Sequence, residues 1–270
     1  MLFRSGLIVT GREPLTPNLR DEPYWESFTK VLEWARENTL STIWSCLAAH
    51  AAVLHLDGVS RIRSQHKHCG IFDCEQLSDH ALTSGTPSRF KLPHSRWNGL
   101  PEDELTASGY KVLTRSADTG VDTFVKQQKS LFVFFQGHPE YESNTLLLEY
   151  RRDVGRYLRA ETDTYPLMPR SYFNPQTRNA LLALQEQAIA CRQPELLAEV
   201  SNILTETSIE NTWHSTASSI YRNWLQYMAV QKKLQLKNSA ATLAATRIAA
   251  PASVLDIAAN ALVMVESLAR

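Results

Sequence analysis

Short apolar runs alternate with longer amphipathic stretches in the first part of the chain. Residues 7–10 form a β-branched run that ends at Gly11, which predicts a central parallel strand. A second short run over 41–45 precedes an Ala-rich stretch, which predicts a strand followed directly by a helix that ends near Leu56. Between these strands a helix is predicted over 24–38, because its apolar residues share one face: Trp25, Phe28, Leu32 and Ala35.

Further strands are predicted in the middle of the chain. The nearly all-apolar run over 130–135 predicts a buried central strand, and shorter strands are predicted at 70–74, between polar loops, and at 89–92. Alternating residues on both sides of the Asp-Thr-Gly at 118–120 predict a hairpin. A helix is predicted over 146–159. Strands that alternate with helices through short loops indicate an α/β fold of the doubly wound type.

The second part of the chain is almost wholly helical, with helices predicted over 176–191, 194–207, 210–235 and 250–268. We therefore expect three parts: an α/β domain over 1–175, a helical part over 176–237 that packs on it, and an Ala-rich appended helix over 238–270. The last predicted helix has an apolar face that we expect to be packed and not bound to a membrane: Val254, Ile257, Ala261 and Val265.

Composition narrows the classes of function. The 270 residues include 28 basic and 28 acidic side chains, so a net charge of zero gives no argument for a nucleic-acid partner or an anionic membrane. No apolar run approaches the roughly 18 residues of a membrane span, and the first residues do not form a signal-peptide pattern. Four cysteines in a chain of this length do not make a disulfide framework. A cytoplasmic location is the expectation.

Cys46 stands at the predicted turn from the strand over 41–45 into the Ala-rich helix. A thiol at a helix N-terminus is favoured as thiolate, because the helix dipole and the free N–H groups stabilise negative charge. Such strand-to-helix turns present reactive Ser or Cys side chains in several enzyme classes. The alternative for this stretch alone is a buried structural cysteine.

His138 and Glu140 follow the predicted strand over 130–135. Because carboxyl ends of parallel strands meet at one sheet edge, these residues and Cys46 are expected to lie together. A histidine beside a thiol can act as general base, and a carboxylate can orient it, so the sequence predicts a Cys-His-Glu triad. The polar Pro-His-Ser-Arg at 93–96, placed just after the strand over 89–92, is either a binding loop or a surface turn.

A metal site is not expected. His66, His68, Cys69 and Cys74 are close in sequence, but their spacing matches no common zinc pattern. An ordinary strand flanked by a polar loop explains this segment, and we predict no metal and no cofactor.

Several motifs occur in the order and spacing of the homoserine O-succinyltransferase family, which this chain resembles from about residue 6 to 235: the Cys46 turn, Pro-His-Ser-Arg at 93–96, Gly-His-Pro-Glu-Tyr at 137–141 and Glu-Tyr-Arg-Arg-Asp at 149–153. Residues 7–11, 24–25 and 223–227 are also similar to the family. The resemblance implies a class I glutamine amidotransferase-like fold, with a flavodoxin-like, mostly parallel sheet and helices on both faces.

The resemblance implies an acyltransferase that moves a succinyl group from succinyl-CoA to the hydroxyl of L-homoserine in methionine biosynthesis. Acyl-CoA is then a co-substrate, and the mechanism is ping-pong. Cys46 would carry the acyl group, His138 would move protons and Glu140 would orient His138. Backbone N–H groups at the turn would stabilise the tetrahedral oxyanion.

Three further residues match the family's substrate contacts: Lys67, Ser95 and Arg152. The acyl-specificity position of the family corresponds to Leu15 in an ungapped alignment. An apolar residue there favours succinyl-CoA, whereas the nearby Glu13 keeps acetyl-CoA as an alternative.

The chain departs from the family in two respects besides its extra helical material near 176–207 and 239–270. It begins after the N-terminal segment that the family carries. It also has Cys46-Leu-Ala-Ala-His50 where the family usually has Cys-Trp-Gly-Ala-Gln. Two alternatives therefore stay open beside the transferase: an amidotransferase-like hydrolase, and a truncated homologue with impaired catalysis. A homodimer is a further expectation.

Overall fold

The structure is a computed structural model that describes residues 5–249, with the backbone alone over 239–249. Within residues 5–249 the chain forms nine strands: β1 (Gly6–Val9), β2 (Ser41–Ser45), β3 (Ile62–Gln76), β4 (Arg89–Gly99), β5 (Lys111–Val112), β6 (Thr114–Ser116), β7 (Gly120–Val121), β8 (Thr123–Gln127) and β9 (Leu131–Phe135). The same residues form seven α-helices: α1 (Trp25–Asn38), α2 (Leu47–Asp57), α3 (Glu102–Ala107), α4 (Thr145–Leu158), α5 (Pro175–Ala190), α6 (Leu196–Thr205) and α7 (His214–Ala249).

The main sheet has five strands in the order β1-β2-β9-β8-β5. Strand β2 pairs in parallel with β1 and β9, whereas β8 pairs antiparallel with β9 and β5. The α/β class is confirmed, with the parallel pairings in the half that contains Cys46. The predicted central position of the first strand is wrong, since β1 lies at the sheet edge. Its Ile8 is 47% exposed, so the β-branched run is not buried on both faces.

A second sheet, in the order β4-β3-β6-β7, was not expected from the sequence. Strand β3 has 15 residues, so the polar segment before Gly70 that was predicted as a loop is strand. The motif at 93–96 was predicted to follow a strand but lies inside β4, where Ser95 pairs with Cys69. Long antiparallel pairing gives these polar segments backbone partners that the apolar pattern cannot reveal. The predicted hairpin at 118–120 is confirmed as β6 and β7.

Two apolar clusters fix the helices against the two sheets. One joins α1, α2, β2, β8 and β9, and its aromatic centre includes Trp44, Phe124 and Phe134. The Phe124 and Phe134 rings stack with centroids 4.8 Å apart. Each fully buried side chain of this size contributes about 1.5–3 kcal/mol relative to its exposed state. The other cluster joins β3 and β4 to α4, α5 and α6 through residues such as Leu92 and Leu181.

Helix α7 begins in a compact unit over Met1–Tyr227 and continues into a second unit over Met228–Arg270. The helices predicted from residue 176 to 235 are confirmed as α5, α6 and α7. The helix predicted over 250–268 lies outside the described residues, and the proposed domain boundaries stay predictions. None of the helices within the described residues combines the length and hydropathy needed to cross a membrane.

Gly70 of β3 lies against the backbone of Arg170, and this contact can be tested by mutation. Its φ is +133°, and a Cβ atom there would lie 2.3 Å from the backbone N and O of Arg170. We expect Gly70→Ala to reduce the free energy of unfolding by about 2–4 kcal/mol. The alanine would be strained at this φ, and its Cβ would also overlap the main chain of Arg170. Gly109 has φ +81° with open space around it, so Gly109→Ala is the matched control. Urea unfolding curves measure both, and equal losses would contradict the close backbone contact.

Candidate active site

Cys46 lies at the break between β2 and α2, as the sequence predicts. Its backbone has φ 51° and ψ −114°, a conformation that non-glycine residues rarely adopt. The Cys46 N–H donates to the Phe135 carbonyl at 2.7 Å, and the Cys46 carbonyl accepts from the N–H groups of Ala49 and His50. The turn is therefore fixed from β9 on one side and from its own helix on the other.

Gly11, in the loop after β1, lies directly against the start of α2. A Cβ atom on Gly11 would lie 2.6 Å from Leu47 Cβ and 2.7 Å from the Leu47 backbone nitrogen. The first N–H groups of a helix have no partner inside the helix and favour negative charge. Glycine at position 11 thus lets the loop after β1 lie against the first residue of α2, directly beside Cys46.

The loop after β9 carries His138 and Glu140 to the same sheet edge. Nδ1 of His138 is 2.9 Å from Oε1 of Glu140. Ser45 Oγ donates to that same oxygen at 2.7 Å. The His138 ring stacks on Tyr141, with ring centroids 4.1 Å apart. The structure thus brings together the three residues that the sequence predicts as a triad, and adds two neighbours that were not predicted.

Cys46, His138 and Glu140 shift one another's pKa values. Burial disfavours the Cys46 thiolate, but the positive charge of the neighbouring His138 outweighs burial and lowers the pKa of Cys46. Burial disfavours the imidazolium, yet Cys46 and Glu140 together raise the pKa of His138. The pKa of Glu140 is lowered, because hydrogen bonds from His138 and Ser45 outweigh its burial. The arrangement favours a thiolate beside an imidazolium.

Arg96 is a buried cation for which no individual role was predicted. Its side chain donates to the carbonyls of Asn98 and Thr119, both at 2.6 Å, and to Nδ1 of His94 at 3.3 Å. Its charge also contributes to the lowered pKa of Cys46. Only the motif at 93–96 pointed to this position, and it gave no indication of burial.

Buried polar groups hold the loop that carries His138. Asp122 is fully buried and accepts the Gly137 N–H at 2.9 Å. A Cβ on Gly137 would lie 2.7 Å from Oδ1 of Asp122. Gln136 accepts from Nε2 of His50 at 2.9 Å, and burial lowers the pKa of His50 to about 3. His50 is therefore a neutral packing and hydrogen-bonding group close to the turn.

The predicted substrate contacts lie around helix α4. Ser95 Oγ donates to Oε2 of Glu149 at 2.5 Å, and the Tyr141 hydroxyl donates to the other oxygen of Glu149 at 2.6 Å. Because Tyr141 also stacks on His138, a continuous path of contacts leads from Ser95 to the triad. Glu149 lies within the motif at 149–153, but no role was predicted for it.

Lys67 and Arg152 share one acidic partner. Lys67 Nζ is 3.4 Å from Oδ2 of Asp153, and Arg152 Nε donates to Oδ1 at 2.8 Å. Both cations are therefore held on the α4 side of the site. Arg156 Nη1 also lies 3.7 Å from Oδ1 of Asp153. Basic groups around one carboxylate can exchange that partner for the carboxylate of a small ligand.

Leu15 belongs to a loop that Glu22 fixes through the N–H groups of Leu15 and Thr16, at 2.7 and 2.8 Å. The Leu15 side chain is 63% exposed. Nearby Glu13 forms an ion pair with Arg156 of α4 at 3.1 Å. Glu13, on which the acetyl-CoA alternative depends, thus connects this loop to α4.

Among the described residues no group of three or more His, Cys, Asp or Glu side chains has the arrangement of a metal site. His68 Nε2 is 3.0 Å from Ser64 Oγ, whereas Cys69 and Cys74 are buried in the apolar cluster. Burial raises the pKa of Cys69 to about 11 and that of Cys74 above its ordinary value.

The coupling of Cys46 to His138 is testable without knowledge of a substrate. We expect His138→Ala to raise the pKa of Cys46, because the imidazolium that favours the thiolate is removed. The rate of iodoacetamide alkylation of Cys46, followed against pH by peptide mass spectrometry, measures this change. His55→Ala is the control, since His55 pairs with Glu33 at 2.9 Å. An unchanged alkylation profile in His138→Ala would contradict the coupling.

Comparisons with known proteins agree with these motifs. A family model described as homoserine O-succinyltransferase matches residues 4–234. The homoserine O-succinyltransferase of Rhodopseudomonas palustris is 48% identical over 225 residues, which cover 83% of this chain and 68% of that protein. The corresponding protein of Bradyrhizobium japonicum is 47% identical over 225 residues, or 83% of this chain and 69% of that protein.

Among solved structures, a glutamine amidotransferase from Methylobacillus flagellatus is similar at 13% identity, with a TM-score of 0.49, over 84% of this chain and 96% of that one. The family model and the close relatives cover the turn at Cys46, the loop with His138 and Glu140, and helix α4. The chain belongs to the homoserine O-succinyltransferase family.

Proposed function

We propose that this protein transfers a succinyl group from succinyl-CoA to the hydroxyl of L-homoserine through an acyl-enzyme on Cys46. The observation that carries the proposal is the thiol at the strained strand-to-helix turn, beside the His138–Glu140 pair. The names of its relatives indicate homoserine as the acceptor and succinyl as the transferred group, and succinyl-CoA as the donor is part of the proposal. Such a reaction belongs to methionine biosynthesis, and we expect a cytoplasmic enzyme that acts on small molecules, forms a homodimer and needs no cofactor besides its acyl-CoA co-substrate.

In the first half-reaction the Cys46 thiolate attacks the thioester carbonyl carbon. The carbonyl oxygen becomes an oxyanion, which the backbone N–H groups at the start of α2 are placed to stabilise. The carbon–sulfur bond to CoA then breaks, and the departing thiolate takes the proton held by His138. This sequence leaves a succinyl thioester on Cys46, free CoA and a neutral His138.

In the second half-reaction His138 acts as general base. It removes the proton from the homoserine hydroxyl as the oxygen attacks the acyl carbon of the Cys46 thioester. Collapse of the second tetrahedral intermediate releases O-succinylhomoserine and restores the Cys46 thiolate beside the His138 imidazolium. Since Nδ1 of His138 faces Glu140, Nε2 is the nitrogen available for both proton transfers.

Homoserine would be oriented by the groups around α4. Arg152 and Lys67 supply positive charge for its carboxylate in place of Asp153. Ser95 and Glu149 supply a hydroxyl and a carboxylate on the side that leads to His138 through Tyr141. A bound amino acid would then present its hydroxyl toward the acyl group on Cys46.

Succinyl is favoured over acetyl as the donor by the loop after β1. Leu15 brings no negative charge to that loop, and Glu13 is neutralised by its ion pair with Arg156. An unpaired carboxylate there would repel the terminal carboxylate of a succinyl group. The ion pair therefore supports succinyl-CoA, with acetyl-CoA as the alternative donor.

The test of the proposed function is acyl transfer by the purified chain. With succinyl-CoA alone, we expect release of CoA and a mass increase of one succinyl group on Cys46, and product only after homoserine is added. Cys46→Ala should lose at least about 10³-fold in turnover, because the nucleophile is gone. Cys191→Ser removes an exposed cysteine and is the control.

Three outcomes would contradict the transferase. Continued CoA release over many turnovers at the same rate with and without homoserine would indicate a hydrolase. Absence of any CoA release by the parent chain would indicate an impaired homologue. Full activity in Cys46→Ala would exclude the cysteine acyl-enzyme.

The donor preference has its own test. Arg156→Leu leaves Glu13 unpaired, so we expect kcat/KM for succinyl-CoA to fall about two- to fivefold relative to acetyl-CoA, the effect of one exposed charge pair. Adding Glu13→Gln to this variant should restore the ratio. Arg159→Leu is the matched control, because Arg159 at the end of α4 pairs with Glu161 and not with the loop. An unchanged ratio in Arg156→Leu would count against this role of the ion pair.

A further inference from the structure

Ser45 is the last residue of β2 and directly precedes Cys46. Its side chain is buried, with 1% exposure, and its Oγ donates to Oε1 of Glu140 at 2.7 Å. That oxygen is the one that faces Nδ1 of His138 at 2.9 Å. The other oxygen of Glu140 is buried and has no hydrogen-bond partner in the described part of the chain.

This asymmetry leaves Glu140 dependent on Ser45. Two donors on Oε1 fix the plane of the carboxylate and favour its ionised form. Without the hydroxyl, the carboxylate would keep bonds from His138 and from its own backbone N–H, but it would lose the side-chain donor that ties it to β2, and Oε2 has no bond to lose. The orientation of His138 depends in turn on which lone pair of Glu140 it faces.

The sheet itself does not need the Ser45 hydroxyl. The backbone of Ser45 is paired with Phe135 of β9 through the parallel ladder. Ser41, at the other end of β2, uses its Oγ in a structural way, since it donates to the Leu131 carbonyl at 2.7 Å and accepts from Trp224 Nε1 at 2.8 Å. The two serines of one strand therefore differ in what their hydroxyls hold.

We propose that Ser45 is a positioning residue that acts through Glu140 on His138 and so completes a four-residue set with Cys46. The inference rests on the proposed function for its kinetic consequence. Ser45 and Cys46 are consecutive residues. The nucleophile and the hydroxyl that positions Glu140 are therefore held by the same short stretch of backbone. The distance from thiol to imidazole is thereby fixed from both sides of the pair.

The test is Ser45→Ala in the full chain. We expect kcat/KM for acyl transfer to fall about tenfold, the size of one lost hydrogen bond to a charged group. The acid limb of the pH profile should move to higher pH, because Glu140 then supports the His138 imidazolium less, and it is the imidazolium that stabilises the Cys46 thiolate. The alkaline limb should move to lower pH, because the His138 imidazolium loses stabilisation.

Two further variants separate positioning from structural damage. Ser41→Ala also removes a buried hydroxyl from β2. We expect the acid and alkaline limbs of its kcat/KM pH profile to stay where they are in the parent protein. Ser45→Thr keeps a hydroxyl at the same place, and we expect it to recover most of the lost kcat/KM. Parent-like pH limbs in Ser45→Ala, or equal shifts in Ser41→Ala, would overturn the proposal.

Alkylation of Cys46 distinguishes failure of this inference from failure of the proposed function. If the parent chain transfers no acyl group but Ser45→Ala moves the pH midpoint of Cys46 alkylation upward, the positioning role stands and the proposed reaction falls. If transfer proceeds and Ser45→Ala changes neither kcat/KM nor the alkylation midpoint, the positioning role falls and the reaction stands.

Discussion

The backbone hydrogen bond from Cys46 to the Phe135 carbonyl is the interaction on which the site depends. It holds a non-glycine residue at positive φ, a conformation that costs about 1–3 kcal/mol and persists only where the surroundings impose it. Strand β9 supplies this acceptor, and the loop that leaves β9 carries His138. One strand end thus determines the position of both partners of the thiol–imidazole pair.

Beneath that loop the protein maintains a buried polar layer. Asp122 accepts from the Gly137 N–H and from the hydroxyls of Thr114 and Thr123, so its charge is shared among several donors. Arg96 is satisfied by two carbonyls and a histidine. Such groups are costly to bury unless every bond is made, and when made they define one loop conformation.

The sequence predicted the parts of the fold that follow apolar periodicity. Helices α1, α2 and α4 and strands β2 and β9 were expected near their observed bounds, and the residues of the triad were expected at one sheet edge. The second sheet was not expected, because β3 begins with polar residues that resemble a loop. Burial of Arg96 and the bond from Ser45 to Glu140 depend on contacts across long sequence separations, which periodicity does not encode.

The contact of Gly11 with Leu47 has a consequence for how such a protein can diversify. The Gly11 main chain meets the backbone and the Cβ of Leu47 there, and every residue type except glycine carries those atoms. Under the proposed function, recognition rests on side chains of the loop after β1 and of α4, such as Leu15 and Arg156. Mutation there would alter which molecules are accepted while the reacting atoms keep their places, so chemistry and selectivity could evolve separately.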